Sequence, residues 1–138
     1  MRVERRLIDD RFDPQKALIG SVRYLTQARK IFIREDLALV SYHMGIGNLT
    51  NFIRAYTNDN ETDLSVLIRE NSLSYSKLYF DTSPRRNTDA WNFVSGLSDD
   101  SSNYLWKIYA AREIMRLFRE DPEQLKLLAM QHGAKASA

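Results

Sequence analysis

Apolar residues recur along this chain at spacings of three and four, the period of an amphipathic helix, and almost nowhere at the spacing of two that marks a half-buried strand. Leu18, Val22, Leu25, Ala28, Ile31 and Phe32 fall on one face of a helix predicted from Pro14 to about Phe32. Asp13-Pro14 opens it, an N-cap followed by proline at the first helical position, where the missing N–H costs nothing. Gly20 lies inside that helix at a cost of roughly 1 kcal/mol relative to Ala, which predicts another element packed closely against it.

Asp36 is a candidate cap for a short second helix carrying Leu37, Val40 and Tyr42, and Gly45-Ile46-Gly47 is predicted to break it. Leu49, Phe52, Ile53 and Tyr56 mark a third helix, followed by a polar loop from Thr57 to Glu61. Thr62 is read as the cap of a helix with Leu64, Val66, Leu67 and Ile68, and Ser74 opens another to Phe80. After the turn-rich segment 81–87, Thr88 is the predicted cap of a helix with Trp91, Phe93 and Val94, closed by Gly96. The longest helix is predicted from about Ser102 to Arg119, with Tyr104, Ile108, Ala111, Met115 and Phe118 facing inward. Asp121-Pro122 repeats the start pattern for a last helix, stopped by Gly133. The expected fold class is therefore all-α, a single domain of seven or eight helices.

Composition agrees with a folded chain. In 138 residues, 43% are hydrophobic and 28% charged, far from the signature of disorder. The formal charge of +2 is too small to be a basic field, so no nucleic-acid partner is implied. With no cysteine there is neither a disulfide nor a thiolate metal site. No apolar run has the length of a membrane span, and Leu7-Ile8 is followed by Asp9-Asp10 rather than by a secretory core. Both ends look cut, so the chain is expected to be part of something longer, incomplete at its N-terminus.

Chemistry-bearing patterns are few. His43 and His132 are separated by most of the chain and lack a helical i, i+4 partner motif, and neither a nucleophile elbow nor a phosphate loop is present, so no metal and no cofactor are assigned. One segment stands out, Ser41-Tyr42-His43-Met44-Gly45-Ile46-Gly47-Asn48. Its glycines expose backbone donors and acceptors beside Tyr42, His43 and Asn48, a set of hydrogen-bonding groups with an aromatic face. Equally, the glycines can simply end a helix, Tyr42 can be packing, and His43 can cap the last turn.

Ala38-Leu39-Val40-Ser41-Tyr42-His43-Met44-Gly45-Ile46-Gly47-Asn48-Leu49 resembles the Ala-x-x-Ala-Tyr-Asn-x-Gly-x-Gly-x-Val segment of the lytic transglycosylases, lysozyme-like enzymes that cleave the glycan strands of peptidoglycan. Upstream, Phe12-Asp13-Pro14 to Gly20-x-x-x-Tyr24-Leu25 resembles that family's Asp-Pro…Gly-x-x-Tyr-Leu helix. Downstream, Asn103-Tyr104-Leu105-Trp106-Lys107-Ile108 resembles its Tyr-Val-x-Lys-Val helix. Together the three cover residues 12 to about 118. The resemblance implies a lysozyme-like helical fold, peptidoglycan glycan strands as partner, a cell-envelope or extracellular location, and a substrate site formed by Tyr42, His43, Gly45, Gly47, Asn48 and Tyr104. His43 stands where the family has Asn, and Ser101-Ser102 where it more usually has Glu-Thr.

The same resemblance implies one glutamate that protonates the glycosidic oxygen and then takes the proton of the muramyl C6 hydroxyl, closing a 1,6-anhydro ring. In the family it belongs to a Glu-Ser motif followed by Gly-Leu-Met-Gln, both ahead of the Asp-Pro helix. This chain has neither. Glu4 sits among Arg2, Arg5 and Arg6, which hold it ionised, and Glu35 lies at a helix start beside Asp36; no catalytic residue is assigned. Glu61, Glu70, Glu113, Glu120 and Glu123 read as surface. Two expectations follow: part of a lytic transglycosylase whose glutamate lies on an upstream segment, or a non-catalytic helical module that binds glycan or protein. A DNA-reading helix pair over Asp36–Tyr56 is disfavoured by the near-neutral charge and the apolar third helix. Oligomeric state is left open.

Overall fold

In the computed structural model the described residues are 9–136; the reading of Glu4 and its arginines lies outside them. Helix, 3-10 turns included, accounts for 78% of the described residues and no strand forms among them, so the fold is all-α. The only β-type pairing among the described residues is one isolated bridge, Ser83 with Arg86. The chain divides into two compact units, the first ending at Ser102 and the second beginning at Asn103.

The first unit begins with a single 3-10 turn, Asp10–Phe12, and then six α-helices: α1 Pro14–Phe32, α2 Glu35–Met44, α3 Ile46–Thr57, α4 Leu64–Glu70, α5 Tyr75–Phe80 and α6 Thr88–Ser95. α1 packs on α2 and α4, α2 on α3 and α5, and α3 on α6. Phe32, Leu37, Val40, Leu49, Phe52 and Ile53 are fully or almost fully buried there, which is the apolar spacing of α1 to α3 expressed as a core. The Asp13 start holds as expected: its carboxylate accepts the N–H groups of Gln15 and Lys16 at 3.0 and 3.3 Å.

Three caps differ from expectation. Asp36 does not start α2, which begins at Glu35 after Arg34; its carboxylate instead accepts Arg34 Nε and the backbone N–H of Tyr75. Asp63, not Thr62, caps α4 through Ser65 N–H, and Thr62 is tied to Asp59. Asn87, in the left-handed region, precedes α6, and Thr88 is the first helical residue. Cap chemistry is short-range, and several adjacent polar residues offer it equally well.

The periodic face of α1 is only partly inward. Leu18 and Val22 are 66% and 54% exposed, Ile19 lies beside them at 51%, and a Cβ added at Gly20 would meet nothing within 4 Å, so the expected close packing there does not occur. Burial is concentrated in the second half of the helix, at Ala28 and Phe32.

After the 3-10 turn Ser101–Asn103, the second unit is a pair of packed helices, α7 Tyr104–Glu120 and α8 Pro122–Ala136. α1, with 19 residues, is longer than α7, with 17, contrary to expectation. Leu105 and Leu117 are the buried residues of α7; Ala111, Met115 and Phe118, expected inward, are exposed, Phe118 to 64%. Asp121 caps α8 through Gln124 N–H at 3.0 Å, but Gly133 does not stop it: the helix continues to Ala136. No helix among the described residues is long and apolar enough to cross a membrane.

Candidate functional site

The joint between α2 and α3 is one residue wide. Gly45 closes α2 by donating its N–H to Ser41 O at 2.8 Å and at once serves as the cap of α3, with φ 89° and ψ 146°. A side chain is strained in that conformation, so glycine is required here. Gly47 is different. It lies inside the first turn of α3, has no positive φ, and a Cβ there would meet nothing within 4 Å, so only one of the two expected helix-breaking glycines breaks the helix.

Around this joint the first two motif segments meet. Tyr24 of α1 donates its hydroxyl to Ser41 O at 2.5 Å, and its ring stands edge-on to Tyr42, centroids 5.4 Å apart at 87°. Tyr42 hydroxyl and Ser21 Oγ are 2.8 Å apart. Ser21 gives its own proton to Ala17 O at 2.9 Å, so Tyr42 is the donor in that pair. Tyr42 therefore keeps a fixed ring while 46% of it stays exposed. It lines an open cleft of about 810 Å³ with Lys16, Gly20, Ser21, Arg23 and Tyr24, within the size range of small-ligand sites.

On its other side the joint is tied to the segment before the second unit. His43 Nδ1 lies 2.8 Å from Oγ of Ser101, which is 1% exposed. Ser101 donates its backbone N–H to Asp99 Oδ1 at 3.0 Å. The Ser101 hydroxyl and that N–H hold the Asp99 carboxyl below its ordinary value, with His43 adding to the effect. His43 is thus anchored across 58 positions of sequence rather than only capping its own helix. Asn48 is exposed and donates its side-chain amide to Met44 O at 2.9 Å, bridging the break.

Tyr42, His43, Gly45, Gly47 and Asn48 are consecutive enough that the sequence alone brings them together, whereas Tyr104 is the first residue of α7, in the second unit. Ser21, Asp99 and Ser101 were not expected at the site. Ser21 sits one turn before Tyr24, on the same face, which is the one local pattern that could have found it; nothing local ties Ser101 to His43. Trp91 and Trp106 are half-buried.

Every glutamate among the described residues is exposed, and Glu35, 71% exposed, pairs loosely with Arg29 at 3.7 Å. None lies in the desolvated pocket that raises a carboxyl to general-acid range. Among the described residues no group of three or more His, Asp or Glu gathers as a metal site. No family model, curated protein or solved structure matches this chain.

Proposed function

We propose that this chain is the glycan-holding part of a peptidoglycan lytic transglycosylase, acting outside the cytoplasmic membrane where that polymer lies. The observation that carries the reading is the meeting of two separate motif segments: Ser21 and Tyr24 from the first hold Ser41 and Tyr42 of the second at the lip of a cleft. The ring of Tyr42, partly exposed and lining the cleft, is the aromatic surface offered to a sugar. Tyr42, His43 and Asn48 add hydrogen-bonding groups, and Gly45 keeps the joint free of a side chain. Cleavage to a 1,6-anhydro product requires a buried glutamate, which in this reading comes from a Glu-Ser…Gly-Leu-Met-Gln segment ahead of α1 in the parent protein.

The exposure of every described glutamate favours, as second reading, a non-catalytic module that binds glycan or a protein. The parent reading frame separates the two: an upstream Glu-Ser…Gly-Leu-Met-Gln segment supports the enzyme, and its absence leaves the binding module. For either glycan reading, purified strands are expected to retain the wild-type chain and to release Tyr42→Ala and Tyr104→Ala variants at lower salt or ligand. Equal retention of wild type and both variants overturns a glycan role for the joint.

A further inference from the structure

We propose a second sugar-binding site in the first unit, in the cleft between the C-terminal half of α3 and the start of α6, taking a neutral pyranose that bears hydroxyl and N-acetyl groups. The cleft holds about 390 Å³ and is lined by Asn51, Arg54, Asn58, Asn60, Asp89 and Phe93. Three amides and a carboxylate crowd one small surface, and no side-chain hydrogen bond within the described residues engages Asn51, Asn58, Asn60 or Asp89. Asparagine is a poor helix former, so Asn51, exposed inside α3, lowers the local stability without a partner in the fold.

The ligand class follows from the donor set. An amide offers donors and an acceptor side by side, the complement of a hydroxyl, and Asp89 can accept two neighbouring hydroxyls at once. Phe93 supplies the apolar element. One face of its ring stacks on the buried Phe52, centroids 6.4 Å apart and 14° from parallel, while the residue also lines the cleft. That gives a braced aromatic beside planar polar groups, which fits a sugar ring with one apolar face and a polar rim.

The polar wall is also braced. Arg54 donates to the carbonyls of Asp59 and Thr62 at 3.1 and 3.3 Å, and Asp59 accepts the N–H groups of Glu61 and Thr62 at 2.9 Å each, closing the loop that carries Asn58 and Asn60. Arg54 uses its Nη1 on that loop, and the Asp89 carboxylate lining the same cleft disfavours an anionic ligand. α3 joins this cleft to the first site: Asn48 lies in its opening turn and Asn58 caps its end, ten residues or about 15 Å along the axis. The inference rests on the proposed function only for the kind of sugar.

The test is a two-dimensional amide NMR titration of the full chain with chitotetraose, an N-acetylhexosamine oligomer, for wild type and for the Asn51→Ala/Asn60→Ala double variant, which leaves the left-handed cap at Asn58 intact. Both positions are exposed, and an unchanged circular dichroism melt confirms the variant's fold. Saturable shifts are expected at Asn51, Asn58, Asn60 and Phe93, and the double variant is expected to lose them with about a tenfold weaker affinity at this cleft. Shifts at Tyr42–Asn48 with none here overturn this site and leave the proposed function standing. Shifts here with none at the joint support this site and count against that function. No shift at either place overturns both. Equal shifts with an N-acetylated trialanine peptide overturn the assignment to sugar.

Discussion

Asp36 of α2 accepts the backbone N–H of Tyr75, the first residue of α5, at 2.7 Å across 39 positions of sequence. Its other oxygen holds Arg34 Nε at 2.9 Å, and its side chain is only 12% exposed. Ser74 meets Lys77 N–H at 3.1 Å, so two side chains from different parts of the chain together satisfy the start of a six-residue helix. The residue thus secured, Tyr75, is fully buried and donates its hydroxyl to Ser102 O at 2.7 Å. Asp36→Ala leaves the Tyr75 N–H without its acceptor, for an expected loss of about 1–3 kcal/mol in urea unfolding. An unchanged urea midpoint would show that the bond contributes nothing.

The glycines at the joint should respond in opposite directions. Gly45→Ala forces a side chain into φ 89° and is expected to cost about 1–3 kcal/mol. Gly47→Ala and Gly20→Ala sit in helical backbone with open space at the new Cβ, so each is expected to gain about 0.4–1 kcal/mol. Thermal melts of the three variants decide it; a stabilising Gly45→Ala would contradict the geometry of the joint.

Acid should destabilise the first unit through its held carboxyls. Asp59, Asp63, Asp81 and Asp99 all lie below their ordinary values, led respectively by the Thr62 backbone N–H and by the Ser65, Tyr56 and Ser101 hydroxyls. A depressed folded-state value means the stabilisation is present above the unfolded value of about 4 and is lost as pH falls through the folded values. Stability from these groups is therefore expected to be level from pH 7 to 5 and to fall below pH 4. Asp81→Asn should soften that fall, and identical acid profiles for variant and wild type would remove Asp81 from the account.

Alkali acts through Tyr56. Burial and its 2.5 Å hydrogen bond to Asp81 push its phenol up to about 12. A raised folded-state value places its stabilisation below the unfolded value of about 10 and loses it as pH climbs from there toward 12. Burial pushes the phenol of Tyr75 higher still, so absorbance at the phenolate band should show two tyrosines titrating late, and Tyr56→Phe should delete the earlier of the two steps. If both late steps survive the substitution, neither belongs to Tyr56.

Tyr24 tests how the site is positioned. Tyr24→Phe keeps the edge-on ring against Tyr42 but removes the bond to Ser41 O, with an expected cost of about 1 kcal/mol and weaker glycan retention. A Tyr24→Phe variant as stable as wild type would mean that this hydroxyl does not anchor α2.

Helix content was legible in the sequence because it rests on local terms: apolar spacing, the Asp13-Pro14 and Asp121-Pro122 starts, and a glycine pair at 45 and 47, one of which takes the positive φ of the break. Within the site, the Tyr42–Asn48 cluster was visible for the same reason. Its supports were not, since Ser21 and Ser101 are ordinary serines until folding sets them 2.8 Å from Tyr42 and His43.

What the sequence determined by itself is therefore the all-α class, the main helices and a break within Gly45-Ile46-Gly47, which the structure narrows to Gly45. Tertiary structure decided which face each helix buries, as exposed Leu18, Val22 and Phe118 show, and which residue caps which helix, as Asp36 shows for α5. A helix's period depends on its own backbone, but the side it buries depends on where its neighbours lie, and that is a property of the folded chain rather than of any segment.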